Sequence, residues 1–204
     1  MDTTIFVSTD KACNPINTYG MTKAISEQLM IEKAYYITDK KFVNVRYGNV
    51  LNSSGSIIPL LHNIGKSDKH DSFSLTHEDM TRFVMTLSQS VDLIEYAIFH
   101  GTSGDTIIPN LISLRVKDLI ELFSEKYNKP IKICGLRPGE KMLECLVNFT
   151  QSGRVCKINQ YYHIRSIFAY KETILADELK EYTSKINPLT KKQLHYFLVS
   201  KNLI

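Results

Sequence analysis

Within its first fifty residues the chain reads strand, helix, strand, and that order confines it to a small set of folds. The run Thr4-Ile5-Phe6-Val7-Ser8-Thr9 is β-branched and aromatic, as a buried strand is. A polar loop through Asn14-Pro15 follows it. From Tyr19 to about Tyr36 there is no proline, and Met21, Ile25 and Leu29 recur at steps of four on one helical face. A second apolar run, Phe42-Val43-Asn44-Val45-Arg46-Tyr47, comes next. Two strands joined by a helical crossover of this length lie parallel, so the opening is a βαβ unit.

From Gly48 to Asp79 the pattern loosens into Asn, Ser, Gly and His, with one apolar patch at Ile57-Ile58-Pro59-Leu60-Leu61, which reads as an excursion out of the sheet. Helical periodicity returns at Leu87, Val91, Ile94 and Ile98, followed by a short strand at Thr106-Ile107-Ile108. Val116, Leu119, Ile120 and Phe123 mark another amphipathic helix, and Ile131-Lys132-Ile133-Cys134 another strand. Near the end, Thr190 and Gln193 have capping-box spacing, with Leu189 and Leu194 placed as a hydrophobic staple. No G-x-G-x-x-G occurs anywhere, although a Rossmann fold keeps its pyrophosphate-binding glycines in the first βα turn. The fold class predicted is therefore α/β. It comprises the C-terminal half of a Rossmann-type parallel sheet (1–48 and 86–110) and a small α/β substrate-binding lobe (49–85 and 111–204), with the opening strands and glycine-rich loop absent.

Composition narrows the function classes. A net charge of +4, with no clustered Lys/Arg stripe, argues against a nucleic-acid partner. The four cysteines, Cys13, Cys134, Cys145 and Cys156, form neither CxxC pairs nor a disulfide framework, which points to reduced thiols and a cytoplasmic setting. No apolar run approaches the ~18 residues that span a bilayer, so no membrane partner is expected. His77 sits among acids in Thr76-His77-Glu78-Asp79, yet no second histidine stands at ligand spacing, so no metal is expected and the stretch reads as a solvated loop. Tyr161-Tyr162 is either a packed aromatic pair or a platform for a base.

The chemistry concentrates at Ser8-Thr9-Asp10-Lys11, Tyr19 and Lys23, at a strand end and on the helix that follows. Residues four apart share a helical face, so the Lys23 ammonium can sit near the Tyr19 phenol, and a nearby cation favours phenolate. A Tyr-x-x-x-Lys spacing is common by chance. Its position at the carboxyl end of a parallel strand, where open α/β sheets bind ligands, is what gives it weight.

The stretches STDKACNPINTYGMTK, RYGNVLNSSGSIIP, MTRF and RPGEK, in this order from Ser8 to Lys141, resemble the soluble inverting UDP-N-acetylglucosamine 4,6-dehydratases, which are extended short-chain dehydrogenase/reductases. A weaker likeness continues through TSKINPLT. The resemblance implies a nicotinamide cofactor, NADP or NAD, that borrows a hydride and returns it. Tyr19, assisted by Lys23 and Thr9, would take the proton of the sugar C4 hydroxyl. Lys11 would be the base at C5, and Asp10 the acid that helps the C6 hydroxyl leave. The Asp10-Lys11 pair and Tyr19 favour the soluble inverting type over its relatives. The same resemblance implies cofactor contacts for Tyr19, Lys23, Tyr47 and Gly48, and substrate contacts for Asn49, Arg82, Arg137 and Glu140. From the residues alone, Arg46-Tyr47-Gly48-Asn49 is equally a turn closing a strand, and a lone arginine is equally a surface ion pair.

The expected partner is a UDP-sugar. A separate polypeptide carrying the N-terminal Rossmann half would be needed for full cofactor binding, and a homo-oligomer is compatible with the pattern. The alternative is a non-catalytic UDP-sugar-binding or remnant protein of the same family.

Overall fold

The computed structural model describes residues 2–168 and 181–204. In chain order its elements begin with β1 (Thr3–Thr9), a 3-10 turn (Asp10–Ala12), α1 (Thr18–Tyr36), β2 (Lys41–Tyr47), β3 (Asn49–Val50), α2 (Ile57–Lys66), β4 (Phe73–Leu75) and β5 (Thr81–Met85). There follow α3 (Leu87–His100), β6 (Thr106–Pro109), β7 (Ile112–Arg115), α4 (Val116–Tyr127), β8 (Ile131–Ile133), β9 (Cys145–Val147) and α5 (Phe149–Ser152). The last are β10 (Val155–Ile158), β11 (Tyr161–Ile164), β12 (Tyr182–Thr183) and α6 (Lys191–Ser200). The chain divides into two units: Met1–Gly48 with Ser88–Leu111 and Cys145–Thr183, and Asn49–Leu87 with Ile112–Glu144 and Ser184–Ile204.

The first unit is built on a sheet of order β1-β2-β6-β11-β10. β1, β2 and β6 run parallel, in the register Ile5 to Val43 and Val45 to Ile107. β11 and β10 are antiparallel additions. The predicted βαβ unit and its parallel strands are thus present, in a partial Rossmann-like fold. Val43, Val45, Leu93, Ala97, Ile107 and Tyr161 form its core. Tyr161 stacks on Tyr96 at 4.0 Å and Tyr162 tilts against Tyr182 at 5.4 Å, the packed-aromatic reading of that pair.

In the second unit β5 joins β3 in parallel and β7 antiparallel, and β4 pairs β8 in parallel. α2, α4 and α6 enclose a core of Ile58, Leu61, Phe73, Leu114, Leu119, Phe123, Leu194 and Leu198. The capping box at Thr190 and Gln193 starts α6 as its spacing predicts.

Two expectations are corrected. Residues 111–204 were assigned whole to the lobe, yet Cys145–Thr183 returns to the first unit, because β11 completes the ladder on β6. The apolar stripe of α1 is also not its buried face: Met21, Ile25 and Leu29 are exposed, while Gly20, Glu27 and Ile31 are buried. On α3, likewise, Leu87, Val91 and Ile98 are exposed, and Ser90, Leu93 and Ala97 turn inward. Glu27 tolerates burial because Arg46 on β2 grips it through two bonds, Nε to Oε1 at 2.9 Å and Nη2 to Oε2 at 2.7 Å. Nη1 of the same guanidinium donates to the Leu146 carbonyl at 2.7 Å and to Gln151 Oε1 at 2.9 Å. Burial alone would depress the Arg46 guanidinium; the charge and hydrogen bonds of Glu27 outweigh it and hold the group above its ordinary value.

Candidate active site

The tip of β1 carries the reactive groups of the first unit. Thr9 caps the 3-10 turn, accepting from the Lys11 N–H at 3.4 Å, and its hydroxyl donates to Asp10 Oδ1 at 3.0 Å. Lys11 Nζ binds the same oxygen at 3.0 Å. Asp10 is 0% exposed, and its Oδ2, like the buried Ser8 Oγ, has no hydrogen-bond partner among the described residues. A buried carboxylate oxygen left unpartnered beside an ion pair costs stability.

α1 begins close beside this turn. Asn17 caps it by accepting from the Gly20 N–H at 2.9 Å. A Cβ at Gly20 would collide with the Lys11 carbonyl oxygen, so only glycine lets the first helical turn approach so closely. Tyr19 lies in that turn, 53% exposed. Four residues on, Lys23 Nζ donates to the Val7 carbonyl at 2.9 Å and lies 4.8 Å from the Phe6 ring centroid. Thr9, Asp10, Lys11, Tyr19 and Lys23 thus gather at one end of β1. Two details differ from expectation: the Thr9 hydroxyl spends its donor on Asp10, and Lys23 is anchored to strand backbone.

Tyr47 ends β2 in register with Thr9, and Gly48 follows it. The Tyr47 hydroxyl donates to the Ser90 carbonyl at 2.6 Å, and burial raises its titration above the ordinary tyrosine value.

In the second unit Asn49, Arg82, Arg137 and Glu140 line one cavity of about 480 Å³, with an apolar wall that includes Leu61, Val84 and Leu119. Arg82 lies 4.0 Å from Glu140 and 3.9 Å from Glu144, and Lys141 is 3.6 Å from Glu144. Sequence reasoning missed Glu144, a buried carboxylate between two cations, and Ser56, whose buried hydroxyl has no partner among the described residues and whose residue lines the cavity. His77 Nδ1 accepts from the Asp79 N–H at 3.1 Å, a local turn contact. Among the described residues no helix is long and apolar enough to cross a membrane.

A parallel sheet places the tyrosine and the lysine four apart on the helix leaving β1, and the polar groups at that strand's carboxyl end, where open α/β sheets bind ligands. The chain belongs to the polysaccharide biosynthesis protein family, which it matches over residues 1–166. It is 46% identical to an uncharacterised membrane protein of Methanocaldococcus jannaschii, over 70% of this chain and 46% of that one. It is 40% identical to a UDP-glucose 4-epimerase of Rickettsia felis, over 78% of this chain and 48% of that one. Its structure superposes on the X-ray structure of Pen from Bacillus thuringiensis with a TM-score of 0.89 and 30% identity, over 100% of this chain and 64% of that one. The chain thus spans about half the length of the curated relatives it matches.

Proposed function

We propose that this chain is the catalytic and sugar-nucleotide-binding part of a UDP-N-acetylglucosamine 4,6-dehydratase, acting together with a glycine-rich dinucleotide-binding half carried outside these 204 residues. The observation that carries the reading is the Asp10–Lys11 ion pair at the tip of β1, beside the helix turn that bears Tyr19. Oxidation at C4 needs only a base such as Tyr19. Removing water across C5 and C6 needs a second base and an acid, and Lys11 and Asp10 supply that pair.

Tyr19 takes the proton of the C4 hydroxyl, and Lys23 on the same helical face supports the phenolate. When bound, a nicotinamide cofactor, NADP or NAD, supplies the hydride acceptor, with Tyr19 and Lys23 at its nicotinamide end. The ketone at C4 acidifies the C5 proton. Lys11 as free amine and Asp10 as carboxylic acid differ from the ion pair by one proton moved across 3.0 Å. In that form Lys11 removes the C5 proton and Asp10 protonates the departing C6 hydroxyl; with the borrowed hydride given back at C6 and a proton at C5, net redox would be zero. In the second unit, Arg82 and Arg137 are suited to the diphosphate, and Asn49 and Glu140 to neutral polar groups of the UDP-sugar.

Among the described residues β1 has a strand neighbour on one side only. Its other side is where a strand of the glycine-rich half would pair, and Val7 on β1 and Met21, Ile25 and Leu29 on α1 offer that half apolar surface.

Mass spectrometry of products made from UDP-N-acetylglucosamine, by the chain joined to or co-expressed with a glycine-rich half from a family relative, tests the reading. A product lighter by one water, lost in Tyr19→Phe, is expected. A second reading, a UDP-sugar 4-epimerase, is favoured by the Rickettsia relative. A product of unchanged mass that separates chromatographically from UDP-N-acetylglucosamine would establish it in place of the dehydratase. UDP-sugar binding with no turnover of either kind would leave only a binding protein.

A further inference from the structure

In the second unit Arg82 is flanked by two carboxylates that stand differently to the cavity. Arg82 and Val84, two apart on β5, both line it, and Arg82 Nη1 donates to the Thr81 carbonyl at 2.8 Å. Glu140 Oε1, 4.0 Å from Nη2, belongs to a residue of the same lining. Glu144 Oε1, 3.9 Å from Nε, belongs to a residue outside it, 3% exposed, whose other oxygen is 3.6 Å from Lys141 Nζ. The backbone of Glu144 is fixed by Ser184, which is 0% exposed. Ser184 donates its N–H to the Glu144 carbonyl at 2.9 Å and accepts the Glu144 N–H on Oγ at 3.0 Å. The same Oγ shares a 2.7 Å hydrogen bond with Thr81 Oγ1, and the Thr81 N–H donates to the Met142 carbonyl at 3.0 Å. One buried hydroxyl from the TSKINPLT stretch therefore braces the residue before Arg82 to the residue that carries the carboxylate.

We propose that Glu144 is a positioning residue for Arg82: it holds the Nε side of the guanidinium, so that Nη2 is presented to the diphosphate of the UDP-sugar, and Ser184 keeps Glu144 in place. The inference rests on the reading of Arg82 as a phosphate ligand. An arginine with a backbone anchor alone gives up side-chain freedom when a phosphate binds, and a counter-charge already in position removes that cost in advance. The opposing effect is repulsion between Glu144 and the phosphate. It is the smaller of the two, because Lys141 at 3.6 Å cancels most of the carboxylate's field beyond the pair, whereas Arg82 at 3.9 Å feels the near oxygen directly.

The test titrates the completed enzyme, the chain joined to its glycine-rich half, with UDP by calorimetry. Glu144→Gln keeps the side chain's shape and should weaken UDP binding by about two- to tenfold, raising KM for the UDP-sugar by the same factor with kcat close to the parent's. Ser184→Ala leaves every charge in place and should move affinity in the same direction by a smaller factor. In an Arg82→Ala background neither change should weaken binding further, because the group they position is gone. Should Glu144→Gln fail to fold, Ser184→Ala against Arg82→Ala decides in its place. Parent-like or tighter UDP binding by Glu144→Gln, or a loss that persists in full once Arg82 is alanine, overturns this inference alone. An Arg82→Ala enzyme that binds UDP as the parent does overturns the phosphate reading of Arg82 and this inference with it.

Discussion

Replacing Glu27 by Gln keeps the shape of the side chain and removes its charge, leaving the Arg46 guanidinium inside the first unit at 2% exposure without a counter-ion. Breaking one side of a buried pair costs about 3–5 kcal/mol, because the remaining charge stays desolvated. For a chain of this size that corresponds to a melting temperature lower by about 6–20 °C. The double variant Glu27→Leu/Arg46→Met removes both charges and should recover most of this loss. It would keep a residual penalty of about 1–3 kcal/mol, because the Leu146 carbonyl and the Gln151 oxygen lose their donor. Urea denaturation followed by circular dichroism, with hydrogen exchange of β1 and β2 to localise the effect, measures the parent, Glu27→Gln, the double variant and its constituents Glu27→Leu and Arg46→Met. A Glu27→Gln protein within about 1 kcal/mol of the parent would refute the reasoning, since a pair so cheaply broken is not desolvated. So would a double variant as unstable as the sum of the single changes, because the two residues would then be uncoupled.

Gly20→Ala should push the first turn of α1 away from the Lys11 carbonyl, lowering the melting temperature and cutting turnover of the completed enzyme by about tenfold or more; thermal melts and steady-state kinetics check it. Arg82→Ala should weaken UDP binding by about tenfold or more in calorimetry, one charge-assisted phosphate contact being worth about 1.5–3 kcal/mol. Burial pushes Tyr182 up, and its hydroxyl accepts from the Leu111 N–H and donates to the Leu111 carbonyl. A folded-state value above the unfolded one means that this contribution is intact below the unfolded tyrosine value of about 10 and is lost as pH rises from there towards the folded value. Tyr182→Phe should therefore flatten the alkaline limb of a stability-against-pH curve while costing stability at neutral pH, and an unchanged limb would remove Tyr182 from the account.

What the sequence disclosed depended on whether the signal was local. β1, α1 and β2 follow one another with little between, so their periodicity could be read in one pass, and Asp10, Lys11, Tyr19 and Lys23 fall within sixteen residues of that unit. α2 shows in the sequence only as an apolar patch, Ile57-Ile58-Pro59-Leu60-Leu61, within a polar stretch. Pro59 sits in the first helical turn, where its missing N–H is no loss. The return of β10 and β11 to the first sheet had no local signature, since β11 pairs with β6 across some fifty residues. No sequence spacing links Glu27 to Arg46, and only the fold brings them together in the interior. Asn49, Arg82, Arg137 and Glu140 were named through motif resemblance. Their sharing of one cavity, and the place of Glu144 beside it, came from the fold alone.

The one-sided pairing of β1, with Val7 and the outward faces of α1 and α3 uncovered among the described residues, also bears on how this chain behaves in a test tube. Unsatisfied strand backbone next to apolar side chains is a template for self-association. Expressed by itself, the chain should aggregate with rising concentration, and a lysine introduced at Val7 should raise its solubility limit.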